Sequence, residues 1–196
     1  MQPAKSEFTT AKQHFFNTDN IIERISTGSK NIDSLLYGGF ETRAVTHFYG
    51  GPGFGKNTLC AILPQDQSDG GVNGKSIYVD TEGTFRTMRI AVIVKARGFD
   101  LSKTLYNVMI EQVSNSKQQE QVIDKIDSLL KDKGKTERFK LLVVDSPVTH
   151  EHRSEYIGPA KLPERQQKLY KFMRRLVAIS RDYNIAIVVY QYYREF

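Results

Sequence analysis

Short runs rich in Val, Ile, Leu and Tyr recur along the chain and alternate with segments whose apolar residues follow a helical period. Several of these runs are continuous rather than alternating, which is typical of strands covered on both faces of a sheet. The pattern predicts at least five strands, which are Val45 to Tyr49, Ser76 to Asp80, Leu105 to Ile110, Leu141 to Asp145 and Ile185 to Tyr190. Because strands that alternate with helices form parallel sheets with crossover helices, the predicted fold class is α/β.

Two segments between the strands have the apolar spacing of amphipathic helices. One predicts a helix packed on the core, since its apolar residues share one helical face: Val122, Ile123, Ile126, Leu129 and Leu130. The other runs from Glu164 to Arg181 and places basic side chains opposite its apolar face, namely Arg165, Lys168, Lys171, Arg174 and Arg175. A charged helix face is usually solvated, so this basic face alone does not argue for contact with DNA.

Composition narrows the class of protein. A length of 196 residues with 39% hydrophobic and 26% charged residues fits one globular domain. The sequence has neither a run of about 18 apolar residues nor an apolar signal core after Met1, so we expect an intracellular protein without a membrane partner. Cys60 is the only cysteine, which excludes an internal disulfide framework and a Cys-cluster zinc site. The formal net charge of +6 favours a polyanionic partner such as nucleic acid without requiring one.

A glycine-rich segment follows the first predicted strand and precedes a predicted helix. It reads GGPGFGKN and matches the phosphate loop Gly-x-x-x-x-Gly-Lys-[Ser/Thr] at all but the last position. In such loops the glycines let backbone N–H groups turn toward phosphate oxygens, and the lysine, here Lys56, reaches the β- and γ-phosphates. The alternative, a glycine-rich turn that binds no ligand, does not account for the spacing of the motif glycines or for the lysine that follows them. The predicted nucleotide-binding residues are Gly50, Gly51, Pro52, Gly53, Phe54, Gly55, Lys56, Asn57 and Thr58.

The last position of this loop departs from the motif. The Ser or Thr of the motif at this position normally coordinates Mg²⁺ through its hydroxyl. Here Asn57 offers a neutral amide oxygen, and Thr58 comes one residue later. Asn57 is therefore predicted as a Mg²⁺ ligand of an unusual kind, and the affinity for the metal stays open at this point.

Acidic residues end two of the predicted strands. Asp145 follows a buried run of Leu and Val, the usual way to hold a carboxylate beside Mg²⁺ and phosphates, and is predicted as a metal ligand. Glu82 follows the strand that ends at Asp80 and is predicted to position or deprotonate the attacking water. The alternative for this second group is structural, with Asp80 or Thr81 serving as the N-cap of a helix.

Several stretches of the chain resemble one known family. They are ISTGSKNID with LLYGGFETRAVT before the phosphate loop, GGVNGKSIYVDTEGTFR, KLLVVDS, and HRSEYIGPAKLPERQQKL followed by YNIAIVV. On these residues the sequence is similar to the RecA-type strand-exchange recombinases, specifically archaeal RadA and its eukaryotic counterparts. The resemblance implies a RecA-like P-loop NTPase core that uses ATP and Mg²⁺, polymerises on single-stranded DNA and pairs it with homologous double-stranded DNA.

The resemblance also implies roles for individual residues of the nucleotide site. Lys56 and the loop glycines would bind phosphate, and Glu82 would be the general base. Asp145 would serve Mg²⁺, and Arg89 would pack against adenine.

Four further residues would contact macromolecules. Phe8 and Ala11 in FTTA match the Phe-x-x-Ala segment that such proteins insert into pockets of a neighbour, which implies self-association into a filament or docking on another recombinase. Arg153 and Arg165 match basic positions around the first DNA-binding loop of the family and would contact phosphates. A surface salt bridge is the alternative for Arg153.

The resemblance divides the chain near residue 20. Residues 1–20 would be an N-terminal arm with the self-association motif, and residues 21–196 would be the ATPase domain. Relative to the family about six residues are missing after the phosphate loop, which predicts a helix of only two turns. Phe196 falls where the second DNA loop would begin, which predicts an incomplete domain. The protein would lie in the cytoplasm on the nucleoid if it is archaeal, and in the nucleus if it is eukaryotic.

Two hypotheses of function follow. The first is an ATP-binding, DNA-dependent ATPase core of a homologous-recombination protein that acts in DNA repair. The alternative is a degenerate or truncated paralog that docks on recombinase filaments through Phe8 and Ala11 and hydrolyses little or no ATP. It is favoured by Asn57 and by Pro159 and Tyr192, which replace an arginine and a glutamine of the family. A kinase or transporter subunit with a phosphate loop would not be expected to carry RSEYIG.

Overall fold

The computed structural model describes residues 10–15, 22–50, 55–66, 69–134, 136–147 and 161–192. Its helices are α1 (Ala11–Phe15), α2 (Lys30–Leu35), α3 (Lys56–Ile62), α4 (Thr87–Arg97), α5 (Leu101–Tyr106), α6 (Ser116–Lys133) and α7 (Leu162–Asp182). Its strands are β1 (Arg24–Ile25), β2 (Phe40–Glu41), β3 (Val45–Gly50), β4 (Lys75–Asp80), β5 (Val108–Gln112), β6 (Phe139–Asp145) and β7 (Ala186–Tyr192). No helix among these residues is both long enough and apolar enough to span a membrane.

Five of the strands form one sheet in the order β3-β7-β6-β4-β5. Every neighbouring pair in this sheet is parallel. Parallel neighbours need crossover connections, and helices supply them, as α4 and α5 do between β4 and β5 and α7 does between β6 and β7. The predicted α/β class, with a parallel sheet flanked by helices, is confirmed.

The sheet is covered on both faces, which explains the continuous apolar runs of its central strands. All seven residues of β6 are buried. Leu142 and Val144 pack in a core that includes residues of α6 and α7, whereas Leu141 and Val143 pack in a second core that includes residues of α3 and α4. Because both faces of this strand are apolar, its polar functional group lies where the strand ends.

A small antiparallel pair, β1 with β2, precedes the large sheet and packs against the same face as α3. Its Ile25 and Phe40 are buried. Backbone hydrogen bonds join the segment that follows to the sheet, since the Arg43 N–H donates to the Ile185 carbonyl at 2.9 Å. The N-terminal part of the described chain is thereby held against the sheet.

The strand predicted from Leu105 to Ile110 begins three residues later in the structure. Leu105 and Tyr106 belong to α5, and β5 begins only at Val108. The Asp100 side chain accepts a hydrogen bond from the Lys103 backbone N–H at 2.8 Å, and this N-cap starts a short helix that the apolar run conceals. The other four predicted strands are present, with bounds that differ by one or two residues.

The predicted helices are also present. α6 buries Val122, Ile123, Ile126 and Leu130, and α7 buries Phe172, Leu176 and Ile179. The helix after the phosphate loop, α3, has seven residues, so the prediction of only two turns there is confirmed.

Candidate nucleotide-binding site

A row of residues crosses the sheet at the carboxyl ends of its strands. Asp80 of β4 is in register with Asp145 of β6, Asp145 with Tyr190 of β7, and Tyr190 with Phe48 of β3. In open parallel sheets ligands bind outside the carboxyl ends of the strands. The two carboxylates predicted from the sequence to end strands are therefore neighbours at the edge where a ligand site is expected.

Helix α3 begins at this edge, directly after β3 and the glycine-rich segment. Gly55 is its N-cap and has a φ of 76°, a left-handed conformation that glycine adopts without steric cost. Lys56 is the first residue of the helix, and the N–H groups of Thr58 and Leu59 donate to the Gly55 carbonyl at 2.9 and 3.1 Å. The turn places Lys56 over the strand ends. Gly51, Pro52, Gly53 and Phe54 lie outside the described residues.

Lys56 and Asp145 form an ion pair that is largely shielded from solvent. The Lys56 ammonium donates to Asp145 Oδ2. The Lys56 side chain is 12% exposed and the Asp145 side chain is fully buried. Lys56 Nζ also lies 5.4 Å from the centre of the Tyr190 ring, within the range of a cation–π contact. The structure thus brings the lysine of the predicted phosphate loop to the predicted metal ligand at the end of β6.

Two further hydroxyl groups approach the same oxygen of Asp145. The Tyr78 hydroxyl donates to Asp145 Oδ2 at 2.6 Å, and the Thr84 hydroxyl lies 3.4 Å from it. Burial, and then the negative charge of Asp145, raise the pKa of Tyr78 far above its ordinary value. The phenol therefore stays protonated and remains a hydrogen-bond donor to the carboxylate.

The other carboxylate oxygen, Asp145 Oδ1, is buried and has no hydrogen-bond partner among the described residues, and the same holds for the amide oxygen Asn57 Oδ1. Buried polar atoms nearly always have partners, so two such oxygens on predicted metal ligands call for a ligand that accepts their lone pairs. Mg²⁺ prefers oxygen ligands and commonly takes one or two from protein, the rest from phosphates and water. In the described part of the chain no group of three or more His, Cys, Asp or Glu is placed to hold a metal ion. A carboxylate oxygen and an amide oxygen are ligand types that suit Mg²⁺.

The loop that carries Glu82 is fixed by Asp80. The Asp80 carboxylate accepts hydrogen bonds from the N–H groups of Glu82 and Thr84 at 3.2 Å each and of Phe85 at 3.0 Å. The N-cap of α4 is Arg86. The structural alternative for Asp80 and Thr81, capping of the next helix, is therefore wrong, because Asp80 uses its oxygens to shape the loop that precedes that helix.

Thr81 joins this loop to the end of β6. Its N–H donates to the Asp145 carbonyl at 2.8 Å, and its hydroxyl accepts the Ser146 N–H at 2.7 Å. Glu82 is the next residue and its side chain is half-buried. The loop therefore holds Glu82 beside the strand end that carries Asp145.

The structure describes three of the remaining predicted residues, Arg89, Arg165 and Ala11. Arg89 is exposed in the first turns of α4, the helix that follows the Glu82 loop. Arg165 is half-buried near the start of α7, and Ala11 is exposed in α1. Phe8 and Arg153 lie outside the described residues.

Thr58 borders a cavity of about 400 Å³. Aromatic rings of Phe40, Phe48 and Tyr190 line this cavity together with the 27–29 segment and Arg97. The Phe48 and Tyr190 rings stack with centres 5.5 Å apart. Asn57, and not the threonine after it, is thus the residue of α3 that leaves a buried oxygen unpartnered.

Sequence reasoning missed Tyr78 and Tyr190, which contact Asp145 and Lys56. Both tyrosines sit in apolar strands and look like ordinary core residues. One signal was available for Tyr78: it precedes Asp80 by two residues, and side chains two apart on a strand share a face. For Tyr190 the information lies in the order of the strands, since β7 is the neighbour of β6 only in the folded sheet.

A comparison with protein families agrees with this geometry. The family model described as Rad51 matches residues 18–193. The match covers the five-stranded sheet, its flanking helices and all of the predicted site residues except Phe8 and Ala11. The chain belongs to the Rad51 family and carries its recombinase domain.

Proposed function

We propose that this chain is an ATP-binding, DNA-dependent ATPase core of a homologous-recombination protein. The observation that carries the proposal is a pair of buried oxygens without a partner among the described residues, Asp145 Oδ1 where β6 ends and Asn57 Oδ1 in the first turn of α3, next to Lys56, which pairs with Asp145. Family membership supports a role in recombination and repair. The segments DTEGTFR and RSEYIG support a place among the RadA-type members.

Binding of ATP would begin with an exchange of partners by Lys56. In the structure this ammonium pairs with Asp145 Oδ2. Phosphate oxygens carry more negative charge and are bound by the lysine of phosphate loops, so Lys56 would move from the carboxylate to the β- and γ-phosphates. Tyr78 and Thr84 would then remain as the donors that hold Oδ2.

Asp145 Oδ1 and Asn57 Oδ1 would hold Mg²⁺, which neutralises phosphate charge as the γ-phosphoryl group is transferred. Hydrolysis needs a base for the attacking water, and we assign this role to the Glu82 carboxylate. Glu82 takes a proton from water as the water oxygen bonds to the γ-phosphorus and the bond from phosphorus to the β-phosphate oxygen breaks. The products are ADP and inorganic phosphate.

Contacts with macromolecules complete the proposal. Arg153 and Arg165 would bind the phosphate backbone of DNA, and Arg89 would pack against adenine. Residues 1–20 would form an arm whose Phe8 and Ala11 insert into a neighbouring copy or another recombinase. The exposure of Ala11 in α1 is compatible with such a contact.

The direct test is release of inorganic phosphate from Mg²⁺-ATP by the whole chain, with and without single-stranded DNA. We expect slow turnover that DNA stimulates. Absence of turnover, combined with capture of a recombinase that a Phe8→Ala variant loses, would instead establish the docking paralog.

Replacing Tyr78 by Phe tests how the metal ligand is held. The variant removes one donor to Asp145 Oδ2 while keeping the ring, and groups that orient metal ligands commonly contribute about 10- to 100-fold in metal affinity. We expect the Mg²⁺ concentration that half-saturates nucleotide binding to rise about tenfold, with nucleotide binding in the absence of Mg²⁺ unchanged.

The matched control for this variant is Tyr183→Phe. The Tyr183 hydroxyl also donates to an aspartate, Asp127 Oδ1 at 2.7 Å, but it lies at the end of α7 and away from the site. Equal Mg²⁺ dependence of the two variants would show that Tyr78 does not orient the metal ligand.

A further inference from the structure

The cavity that Thr58 borders is enclosed by three parts of the chain that are distant in sequence. One wall is the first turn of α3, a second is the sheet through Phe48 of β3 and Tyr190 of β7, and a third is the segment 27–29 between β1 and α2. Its volume is about 400 Å³, and pockets that hold small molecules commonly measure about 300 to 1,000 Å³. The cavity therefore has room for a compact ligand.

The inner surface of this cavity is apolar and largely aromatic. Phe40, Leu59 and Tyr190 are buried there. The Phe48 ring contacts both of the other rings, with its centre 5.5 Å from that of Phe40 in an edge-to-face arrangement and 5.5 Å from that of Tyr190 in a stacked one. Aromatic rings prefer these two arrangements with one another, so the inner surface favours a ligand with a planar apolar ring.

The mouth of the cavity carries a cation. Arg97, at the end of α4, is exposed, and its guanidinium donates to the Gly28 carbonyl at 3.0 Å. A guanidinium has further N–H donors, and Arg97 forms no ion pair with any described residue. No acidic side chain is found among the described residues that line the cavity. An anionic group is therefore the complement of this mouth.

Hydrogen bonds and close packing hold the 27–29 wall in place. The Asp33 carboxylate accepts the Thr27 N–H at 2.7 Å and the Ser26 hydroxyl at 2.6 Å. Gly28 has a φ of 79°, and a Cβ there would lie 2.1 Å from Ile62 Cδ1, so the backbone of this segment packs directly on α3. A ligand would meet a wall that is already formed, which lowers the entropy cost of binding.

We infer that this cavity binds a small molecule that joins a planar apolar ring to one anionic group. The ring would pack on Phe48 and Tyr190, and the anion would accept hydrogen bonds from Arg97. A guanidinium matches the geometry of both carboxylate and phosphate, so the shared chemistry is the anion. The site is distinct from the nucleotide site, because in the described part of the chain neither Lys56 nor Asp145 lines the cavity. Binding here does not require ATP hydrolysis.

The experiment is a calorimetric titration of the whole chain with 2-naphthoate and with its uncharged analogue 2-naphthamide, which have the same ring system. Naphthoate should bind about tenfold more tightly, the typical contribution of a hydrogen bond to a charged group. In Arg97→Gln this preference should disappear while the affinity for naphthamide stays the same. The matched control is Lys95→Gln, which removes an exposed cation from the same helix outside the cavity lining and should keep the preference. Equal preference for naphthoate in the two variants would overturn the inference.

A second variant tests where the probes bind. Ser29 lines the cavity, has an extended backbone and makes no side-chain capping bond to α2. Ser29→Phe should therefore keep the fold, which circular dichroism checks, and fill part of the cavity, so that neither probe binds. Unchanged binding of both probes by Ser29→Phe, or no binding by the parent chain at millimolar concentration, would contradict the inference.

Competition with nucleotide separates this inference from the proposed function. The parent chain should bind naphthoate whether or not Mg²⁺-ATP is present. A naphthoate dissociation constant that rises in proportion to the ATP concentration would place the probe in the nucleotide site, so the cavity site would be overturned and the proposed ATP binding would stand. If the chain binds naphthoate with the stated preference but no ATP, the cavity site stands and the proposed function fails.

Discussion

A Glu82→Gln variant is expected to bind Mg²⁺-ATP as tightly as the parent chain and to hydrolyse it about 10²- to 10⁴-fold more slowly. The amide keeps the size of the carboxylate but cannot accept the proton of the attacking water. The loop itself should persist, because the Asp80 carboxylate and Thr81 fix its backbone. Phosphate release in single-turnover and steady-state assays, beside nucleotide affinity, measures the two effects separately.

The control for this variant is Glu120→Gln, an exposed glutamate on α6. It removes the same charge from a residue outside the loop that follows β4. Turnover by Glu82→Gln that matched turnover by Glu120→Gln would contradict the assignment of Glu82 as the base.

Removing the Lys56 ammonium should destabilise the ligand-free chain by about 3 to 5 kcal/mol, the range for a buried ion pair that loses one partner. Asp145 is fully buried, and within the described part of the chain its charge would keep the hydroxyls of Tyr78 and Thr84 as donors. We expect a value near 3 kcal/mol for Lys56→Ala, since those hydroxyls offset part of the loss. Urea unfolding in the absence of nucleotide measures it.

A double variant shows whether the loss comes from the uncompensated charge. Lys56→Ala with Asp145→Asn removes both charges, and most of the stability lost in Lys56→Ala should return. A double variant as unstable as the sum of the two single variants would show that the ion pair contributes nothing in the folded chain.

The location of the site carboxylates could be predicted from the sequence. A strand buried on both faces cannot hold a charge in its middle. Asp80 and Asp145, the acids that end two such apolar runs, therefore had to lie at the carboxyl ends of their strands. The fate of each acid was not predictable. Asp145 pairs with Lys56, whereas the Asp80 oxygens accept hydrogen bonds from backbone N–H groups of its own loop. This difference depends on how the loop after β4 folds back on Asp80.

Contacts between distant segments were the part that the sequence could not supply. Tyr78 lies in an apolar run and resembles a core aromatic, and it meets Asp145 only because β4 and β6 are neighbours in the sheet. The short helix α5 was hidden for the opposite reason, since a local cap at Asp100 outweighs the strand preference of Leu105 and Tyr106. The order of the strands and the helix cap thus determine two features that apolar periodicity does not predict, the contact of Tyr78 with Asp145 and the presence of α5.

The central claim is that the strand ends bind Mg²⁺-ATP, and a calorimetric titration tests it most directly. ATP is titrated into the parent chain with and without Mg²⁺, and into Lys56→Ala and Lys75→Ala variants whose folding has been checked by circular dichroism. Lys75 is a matched control because it also forms an ion pair, with Glu137 at 2.6 Å, at the opposite end of β4. Saturable, Mg²⁺-dependent binding that Lys75→Ala retains and Lys56→Ala loses is the predicted result; no binding to the parent chain at millimolar nucleotide would contradict it.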